Sequence, residues 1–362
     1  MEIYLVGGAV RDQLLGIADE NTEKDWVVVG SSVDAMLDLG YRQVGKSFPV
    51  FLHPGTQEEY ALARSERKVA KGYKGFEFDT TASITLEQDL SRRDLTINAI
   101  AQTKDGVIID PFNGQQDLDN GLLKHVSDAF SEDPVRVLRV ARFAARFKPF
   151  GFKVAHATHR LMKKMVDSAE VDALTPERVF QELEKSLSYD TPSAFFKVLL
   201  ACGAYQKVFS SLKSHTHKTH ENPFAELDNL KTTAVHIKFA LWLQDEDSQA
   251  ISALCKDIKC PKKYEQLATL LSTTYSLVKN FDSQSVDKVF NFFAQTDALR
   301  RQERFAELLS VFELLGIEVG RIIKLRDLLT AIDVSTLDKN NIGAELQAQK
   351  KSIIKSFLNT AE

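Results

Sequence analysis

Glu23 and Asp25 flank Lys24 at the entry to an apolar run, Trp26-Val27-Val28-Val29. Alternation along an extended chain turns both carboxylates to one face, about 7 Å apart. Such a pair suits Mg2+, a hard cation that takes oxygen ligands and leaves positions for water and phosphate. Two such ions support nucleotidyl transfer: one lowers the pKa of an attacking 3′-hydroxyl, the other stabilises departing pyrophosphate.

Three further blocks supply complementary chemistry. Gly7-Gly8-Ala9-Val10-Arg11-Asp12 follows one strand-like run and opens a helix. Glycine lets backbone N–H groups approach phosphate oxygens, and Arg11 offers a planar donor fork. Arg92 and Arg93 stand beside Asp94, four residues before Asn98; on the expected helix Asp94 and Asn98 share a face. The Asp94 carboxylate can accept from a ribose hydroxyl. In Glu132-Asp133-Pro134-Val135-Arg136, Asp133 and Arg136 set a carboxylate acceptor beside a guanidinium donor. Cytosine and adenine each present an amino donor beside a ring-nitrogen acceptor, which matches that pair; guanine and uracil invert the order. Arg139, Arg142 and Arg146 continue as a basic stripe on a helix whose Val140, Phe143, Ala144 and Phe147 can pack inward.

In order and spacing these blocks resemble those of the class II tRNA nucleotidyltransferases, the CCA-adding enzymes, especially the gamma-proteobacterial form. The resemblance implies addition of CCA to tRNA 3′ ends from CTP and ATP with Mg2+. It implies Glu23 and Asp25 as metal ligands and Glu59 as a third carboxylate on a neighbouring strand. It gives Gly7, Gly8, Arg11, Arg92, Arg93, Asp94 and Asn98 to the nucleotide, with Asp94 serving the ribose. Asp133 and Arg136 would read the base in place of a nucleic-acid template, and Arg139 and Arg142 would help bind the nucleotide. The glycine- and lysine-rich segment 65–75 reads as a mobile loop, which in the family helps the pocket switch from CTP to ATP.

The chain also departs from the pattern. The family carries Asp-x-Asp where this chain has Glu23, whose extra methylene moves the ligand by roughly 1.5 Å, more than Mg2+ tolerates without backbone adjustment. It lacks a His-Asp dipeptide, so the phosphohydrolase region of many gamma-proteobacterial relatives is expected to be lost or reduced to a helical remnant. His215, His217, His220 and Glu221 match no strong zinc spacing. Strong similarity covers about residues 1–200. Two rivals stay open: a bacterial poly(A) polymerase, disfavoured because Gly45-Lys46-Ser47-Phe48-Pro49-Val50 replaces a basic Gly-Arg-Arg-Phe-type segment, and a catalytically weak tRNA-binding paralogue, suggested by Glu23.

These side chains need a frame. Strand signals fall at residues 3–6, 26–29, 49–53, 59–64 and 107–110, read as one sheet, with helices at 10–15, 32–39 and 86–100. From residue 133 long amphipathic helices take over, at 134–147, 156–168, 176–187 and 192–202; Asp133-Pro134 and Thr175-Pro176 mark two helix starts. The expected fold is α+β: a polymerase-β-type nucleotidyltransferase head with a mixed sheet (1–125), then an all-α neck for base recognition (126–209) and an all-α body and tail for tRNA binding (210–362). The 362 residues fit two or three packed units. A formal charge of −4 does not exclude RNA, provided the basic residues gather on one stripe. Cys202, Cys255 and Cys260 lack CxxC spacing, so neither a disulfide framework nor a zinc knuckle is expected. Lysines and arginines of the C-terminal half, among them Lys262, Lys263, Arg300, Arg301 and Arg304, read as solubilising charges. The chain opens without a leader and has no bilayer-length apolar run. It is expected in the cytoplasm, off membranes, as a monomer or weak homo-oligomer.

Overall fold

The computed structural model describes residues 1–44, 50–68, 76–213, 224–230, 234–336 and 341–360. His215, His217, His220 and Glu221, the segment 45–49 and the loop residues 69–75 lie outside them. Two compact units divide the chain, Met1–Ser210 and Ser211–Glu362.

The first unit is built on a seven-stranded mixed sheet. Its strands are β1 (Glu2–Val6), β2 (Asp25–Val29), β3 (Arg42–Val44), β4 (Val50–Leu52) and β5 (Glu59–Leu62), joined, after the separate hairpin β6 (Ser65–Lys68) and β7 (Phe76–Asp79), by β8 (Ala101–Gln102) and β9 (Ile108–Ile109). The spatial order is β3-β4-β5-β2-β1-β8-β9. All five expected strands belong to this sheet. The short hairpin arms β6 and β7 flank residues 69–75, so the segment read as one loop from residue 65 begins as a paired strand.

Register decides where chemistry can occur. β1 and β2 pair antiparallel with Val6 opposite Asp25, and β2 and β5 pair parallel with Asp25 opposite Glu59. Val6 also pairs with Ala101 of β8. Gly7, Asp25, Glu59 and the residues leading into β8 therefore meet at one end of the sheet. Val6, Val27, Leu90, Ala99 and Ala101 form a buried layer on one side; Val28, Met36, Phe51, Tyr60 and Leu62 form the other. β-branched and aromatic residues give the central strands β1 and β2 two apolar faces, as expected of a sheet covered on both sides.

Helices α1 (Gly8–Leu14), α2 (Val33–Asp38), α3 (Leu86–Ser91) and α4 (Gly114–Asp119) pack around the sheet. The expected helix over 86–100 is corrected to α3 plus a separate 3-10 turn, Thr96–Asn98. The Asp94 side chain accepts the Leu95 backbone N–H at 2.8 Å, and Leu95 adopts an extended conformation. A short polar side chain has here outcompeted the helix for a backbone donor.

After β10 (Leu122–Leu123) the unit turns helical: α5 (Val135–Phe147), then β11 (Lys153–Val154) pairing parallel with β10, α6 (His156–Asp167), α7 (Pro176–Ser188), α8 (Ser193–Cys202) and α9 (Ala204–Val208). Thr175 does precede Pro176 at the start of α7, but its hydroxyl makes no capping bond. α5 begins one residue later than expected, with Pro134 at the N-cap, while Asp133 accepts the Val135 N–H at 3.0 Å from outside the helix. The second unit is helical: α10 (Val235–Trp242), α11 (Ser248–Asp257), α12 (Lys262–Lys279), α13 (Val286–Gln295), α14 (Gln302–Leu314), α15 (Gly320–Thr330) and α16 (Ile342–Asn359). Phe239, Trp242, Phe292, Phe305 and Phe312 are fully buried in it. Among the described residues no helix is long and apolar enough to cross a membrane.

Candidate active site

At the end of the sheet an open cavity is lined by Asp25, Glu59, Arg64, Arg92 and Arg93 above an apolar floor that includes Val6 and Val27. Asp25 and Glu59 face each other across adjacent strands, about 5 Å apart by the strand spacing. Like charges directly opposite are unfavourable unless something between them carries positive charge. The Asp25 carboxyl is pushed up by the loss of solvent against the cavity wall, then by Glu59 and Glu23, with Arg93 opposing. Glu23 lies two residues ahead of the start of β2, its charge still reaching Asp25, and the strand register adds Glu59 directly opposite Asp25. Among the described residues no three His, Cys, Asp or Glu side chains form a closed metal cluster. Two facing carboxylates and open positions suit a hard divalent cation completed by substrate oxygens.

Arg92 and Arg93 are held from beneath by one carboxylate. Asp89, fully buried in α3, accepts Arg92 Nη2 at 2.9 Å, Arg93 Nη2 at 3.2 Å and the Arg64 N–H at 3.3 Å. Burial alone would raise the Asp89 carboxyl; Arg93 and Arg92 outweigh it and hold the group below the usual carboxylate range. Asp89, absent from the residues expected at the site, stands at i,i+3 and i,i+4 spacing from the two arginines, a signal present in the sequence. Gly7 adopts φ +71°, and a Cβ there would come within 2.8 Å of Arg93 Nη1. Glycine is thus required both by conformation and by the arginine's approach. The Gly7 N–H itself is taken by the Ile100 carbonyl at 3.2 Å.

A second network joins this end of the sheet to α5. The Asp94 carboxylate accepts Asn98 Nδ2 at 2.8 Å and Arg139 Nε at 2.7 Å. Burial opposes its ionisation, but Arg139 and Asn98 prevail and hold the Asp94 carboxyl well below the usual range. Asn98 in turn accepts Arg11 Nη1, Arg11 donates to Asp12, and Arg146 closes on Asp12 at 2.7 Å. Arg11 is 3% exposed and stacks over Phe147 at 4.9 Å. Expected as a phosphate ligand, Arg11 has its Nε and Nη2 on Asp12 and its Nη1 on Asn98. Arg142 is also buried, bonded to Glu182 and within 3.3 Å of the Tyr189 hydroxyl. Arg139 retains 36% side-chain exposure, and its two terminal nitrogens have no hydrogen-bond partner among the described residues.

The two residues expected to read a base are each held by partners on other segments. Arg136 donates to the Ala129 and Arg92 carbonyls at 2.7 and 2.6 Å, which fixes its plane beside the arginine wall of the cavity. It sits in the first turn of α5, where side chains lean back toward the N-terminus and so meet the preceding 3-10 turn. Asp133 is instead gripped by Arg178 of α7 through two bonds of 3.1 and 2.9 Å. Nothing in the local sequence around Asp133 announced a partner 45 residues away.

Residues 3–124 match the profile described as the poly A polymerase head domain, and residues 151–216 match the probable RNA and SrmB-binding site of polymerase A. A CCA-adding enzyme of Coxiella burnetii is 45% identical over 355 residues, covering 96% of this chain and 92% of that protein. The chain belongs to the CCA-adding enzyme family. It is a tRNA nucleotidyltransferase by that membership, and the multifunctional CCA protein of Nitrosococcus oceani, 44% identical over 86% of this chain and 84% of its own length, is another relative. Solved CCA-adding enzymes share the fold: one in complex with ATP has a TM-score of 0.67 at 20% identity, covering 99% of this chain and 88% of that one. The Thermotoga maritima enzyme complexed with tRNA has a TM-score of 0.63 at 21% identity, covering 100% and 92%. The α+β class, a mixed-sheet head followed by helices, accords with these neighbours.

Proposed function

We propose that this CCA-adding enzyme family member extends tRNA 3′ ends with C, C and A from CTP and ATP, releasing pyrophosphate, with Mg2+ held by Asp25 and Glu59 and approached by Glu23. The observation carrying this reading is the register of Asp25 against Glu59 in a cavity walled by Arg64, Arg92 and Arg93. Bound there, Mg2+ would supply the charge that lowers the pKa of the RNA 3′-hydroxyl and neutralises the pyrophosphate. The protein's own part is orientation. Arg92 and Arg93, preset by Asp89, take the triphosphate; Asp94, three of its acceptor positions taken by Leu95, Asn98 and Arg139, keeps the last, on Oδ2, for a ribose hydroxyl. Asp133, steadied by Arg178, accepts the exocyclic amino group shared by cytosine and adenine, and Arg136 offers a donor fixed by two carbonyls. A carbonyl of uracil or guanine opposite Asp133 would leave buried groups mispaired, a strong source of discrimination. Residues 1–125 serve as the catalytic head, 126–209 as the base-reading neck and 210–362 as the tRNA-binding body and tail.

Incubating the protein with Mg2+, a tRNA ending at its discriminator base and each labelled NTP tests the reading. Ordered incorporation of two C and one A is expected. A long A tract would identify the less favoured poly(A) polymerase, and no incorporation would leave a tRNA-binding paralogue.

A further inference from the structure

Two of the chain's three cysteines, Cys255 and Cys260, stand five residues apart, and the end of α11 brings them together. Ile258 is the C-cap, and Lys259 follows at φ +51°, the left-handed conformation that favours glycine. The Lys259 N–H donates to the Lys256 carbonyl at 3.3 Å, and the Cys260 N–H to the Cys255 carbonyl at 2.8 Å. This pair of bonds is a Schellman motif, which sets the side chain at position 255 against that at position 260. An apolar contact commonly fills those two places; here both are thiols. The bond between their backbones keeps the two Cα atoms within roughly 6.7 Å of each other, inside the span that a disulfide bridges. The sulfur atoms are already engaged. The Cys255 thiol is hydrogen-bonded to Cys260, which together with burial pushes the Cys255 thiol up, and the Cys260 thiol donates to the Pro261 carbonyl at 3.4 Å. Their exposure differs. Cys255 ends the buried stripe of α11 with Ile251 and Leu254, whereas Cys260 is half-buried on the turn.

We propose that Cys255 and Cys260 form a reversible modification site, a dithiol that a hydroperoxide converts to an intramolecular disulfide. The site lies in the second unit and is independent of the transfer reaction. Cys260, the more accessible member, meets the oxidant. Its sulfur takes one peroxide oxygen, the O–O bond breaks, and one water leaves as Cys260 becomes a sulfenic acid. The Cys255 sulfur then attacks the Cys260 sulfur. The S–S bond forms, the S–O bond breaks, and the hydroxyl departs with the Cys255 proton as a second water. Two thiols thus lose two electrons, and the peroxide that gains them ends as two waters. Cys255 is sheltered from the oxidant but adjacent to the intermediate, the arrangement of a resolving thiol. Pro261, next in sequence, is the N-cap of α12, so the closed bridge fastens the turn between α11 and α12.

The test treats the reduced full chain with hydrogen peroxide, then denatures it and counts free thiols. One of the three cysteines is expected to remain free, with the mass lower by two hydrogen atoms and a Cys255–Cys260 link in the non-reducing peptide map. Dithiothreitol should restore all three. Cys260→Ser should keep both of its remaining thiols, Cys202 and Cys255, which are each 2% exposed. Cys255→Ala should leave Cys260 without its resolving partner, so that Cys260 goes on to sulfinic or sulfonic acid, which dithiothreitol does not reverse. The wild-type peptide map decides the matter by itself if that variant folds poorly. Oxygen added to wild-type Cys260 without the link, a disulfide joining two copies of the chain, or no loss of thiols would each overturn the site.

Discussion

Asp25→Asn should make the metal-free protein more stable while destroying its response to Mg2+. In the native register Asp25 faces Glu59 on the adjacent strand, and the Asp25 carboxyl is held above its ordinary range by burial and by that neighbour. A directly opposed like-charge pair costs about 0.2–1 kcal/mol. For a unit the size of Met1–Ser210, relief of about 0.5 kcal/mol raises Tm by about 1–2 °C. The pH dependence fixes the sign. An unfolded aspartate titrates near ~3.9, and the folded value is higher, so the cost is present in full above the folded pKa. It fades as pH falls through that value toward the unfolded one, and the two proteins converge there. With Mg2+ at about ten times its dissociation constant, the wild type gains about 1.4 kcal/mol, or about 3–5 °C, and the variant gains nothing. Calorimetric melting in EDTA and in Mg2+ measures both effects, and labelled CTP incorporation should be lost in the variant. A variant that melts below wild type in EDTA and keeps the Mg2+ increment would refute the facing-carboxylate assignment.

Asp89→Asn loosens the two arginines while leaving the carboxylates alone, so KM for CTP should rise about tenfold, equivalent to about 1.4 kcal/mol of binding, with a smaller change in kcat; steady-state kinetics at saturating tRNA check this, and an unchanged KM removes the clamp. Arg178→Ala frees the Asp133 carboxylate, and the ratio of UTP to CTP incorporation should rise about tenfold, a loss of about 1.4 kcal/mol of discrimination, measured by competition between labelled nucleotides. Asp94→Asn should lower stability at neutral pH by about 2 kcal/mol, below the range for a fully buried pair because Arg139 is partly exposed. Since the folded Asp94 pKa is depressed, the difference from wild type should hold above the unfolded value near ~4 and shrink as pH falls through the folded one, as read by urea melts across pH.

Much of the sheet was legible because β1, β2 and β5 are short apolar runs rich in β-branched or aromatic residues, Ile3 to Val6, Trp26 to Val29 and Tyr60 to Leu62. β3 and β8 are only three and two residues long, too short for a period to register. The run from Leu86 through Leu90 to Ile97 imitates a helical stripe, and only the competition of Asp94 for the Leu95 donor breaks it. At the site, residue types and order pointed to the catalytic end of the sheet. They could not reveal that Asp25 answers Glu59, because pairing between strands 34 residues apart is set by topology. Nor could they reveal which arginines face outward: Arg11, Arg139 and Arg142 look alike in sequence and all stack on Phe143, and only burial separates Arg11 and Arg142 from the partly exposed Arg139.

Each arginine of α5 reaches a different part of the first unit: Arg136 the Arg92 carbonyl, Arg139 Asp94, Arg142 Glu182 and Arg146 Asp12. A turn of this helix about its axis, or a slip by a single residue, would sever all four ties together. The rod is thereby keyed like a lock barrel, and adjustment to successive nucleotides must fall to the side chains at its leading tip. Where other polymerases borrow rigidity from a paired strand, this protein draws it from guanidinium struts.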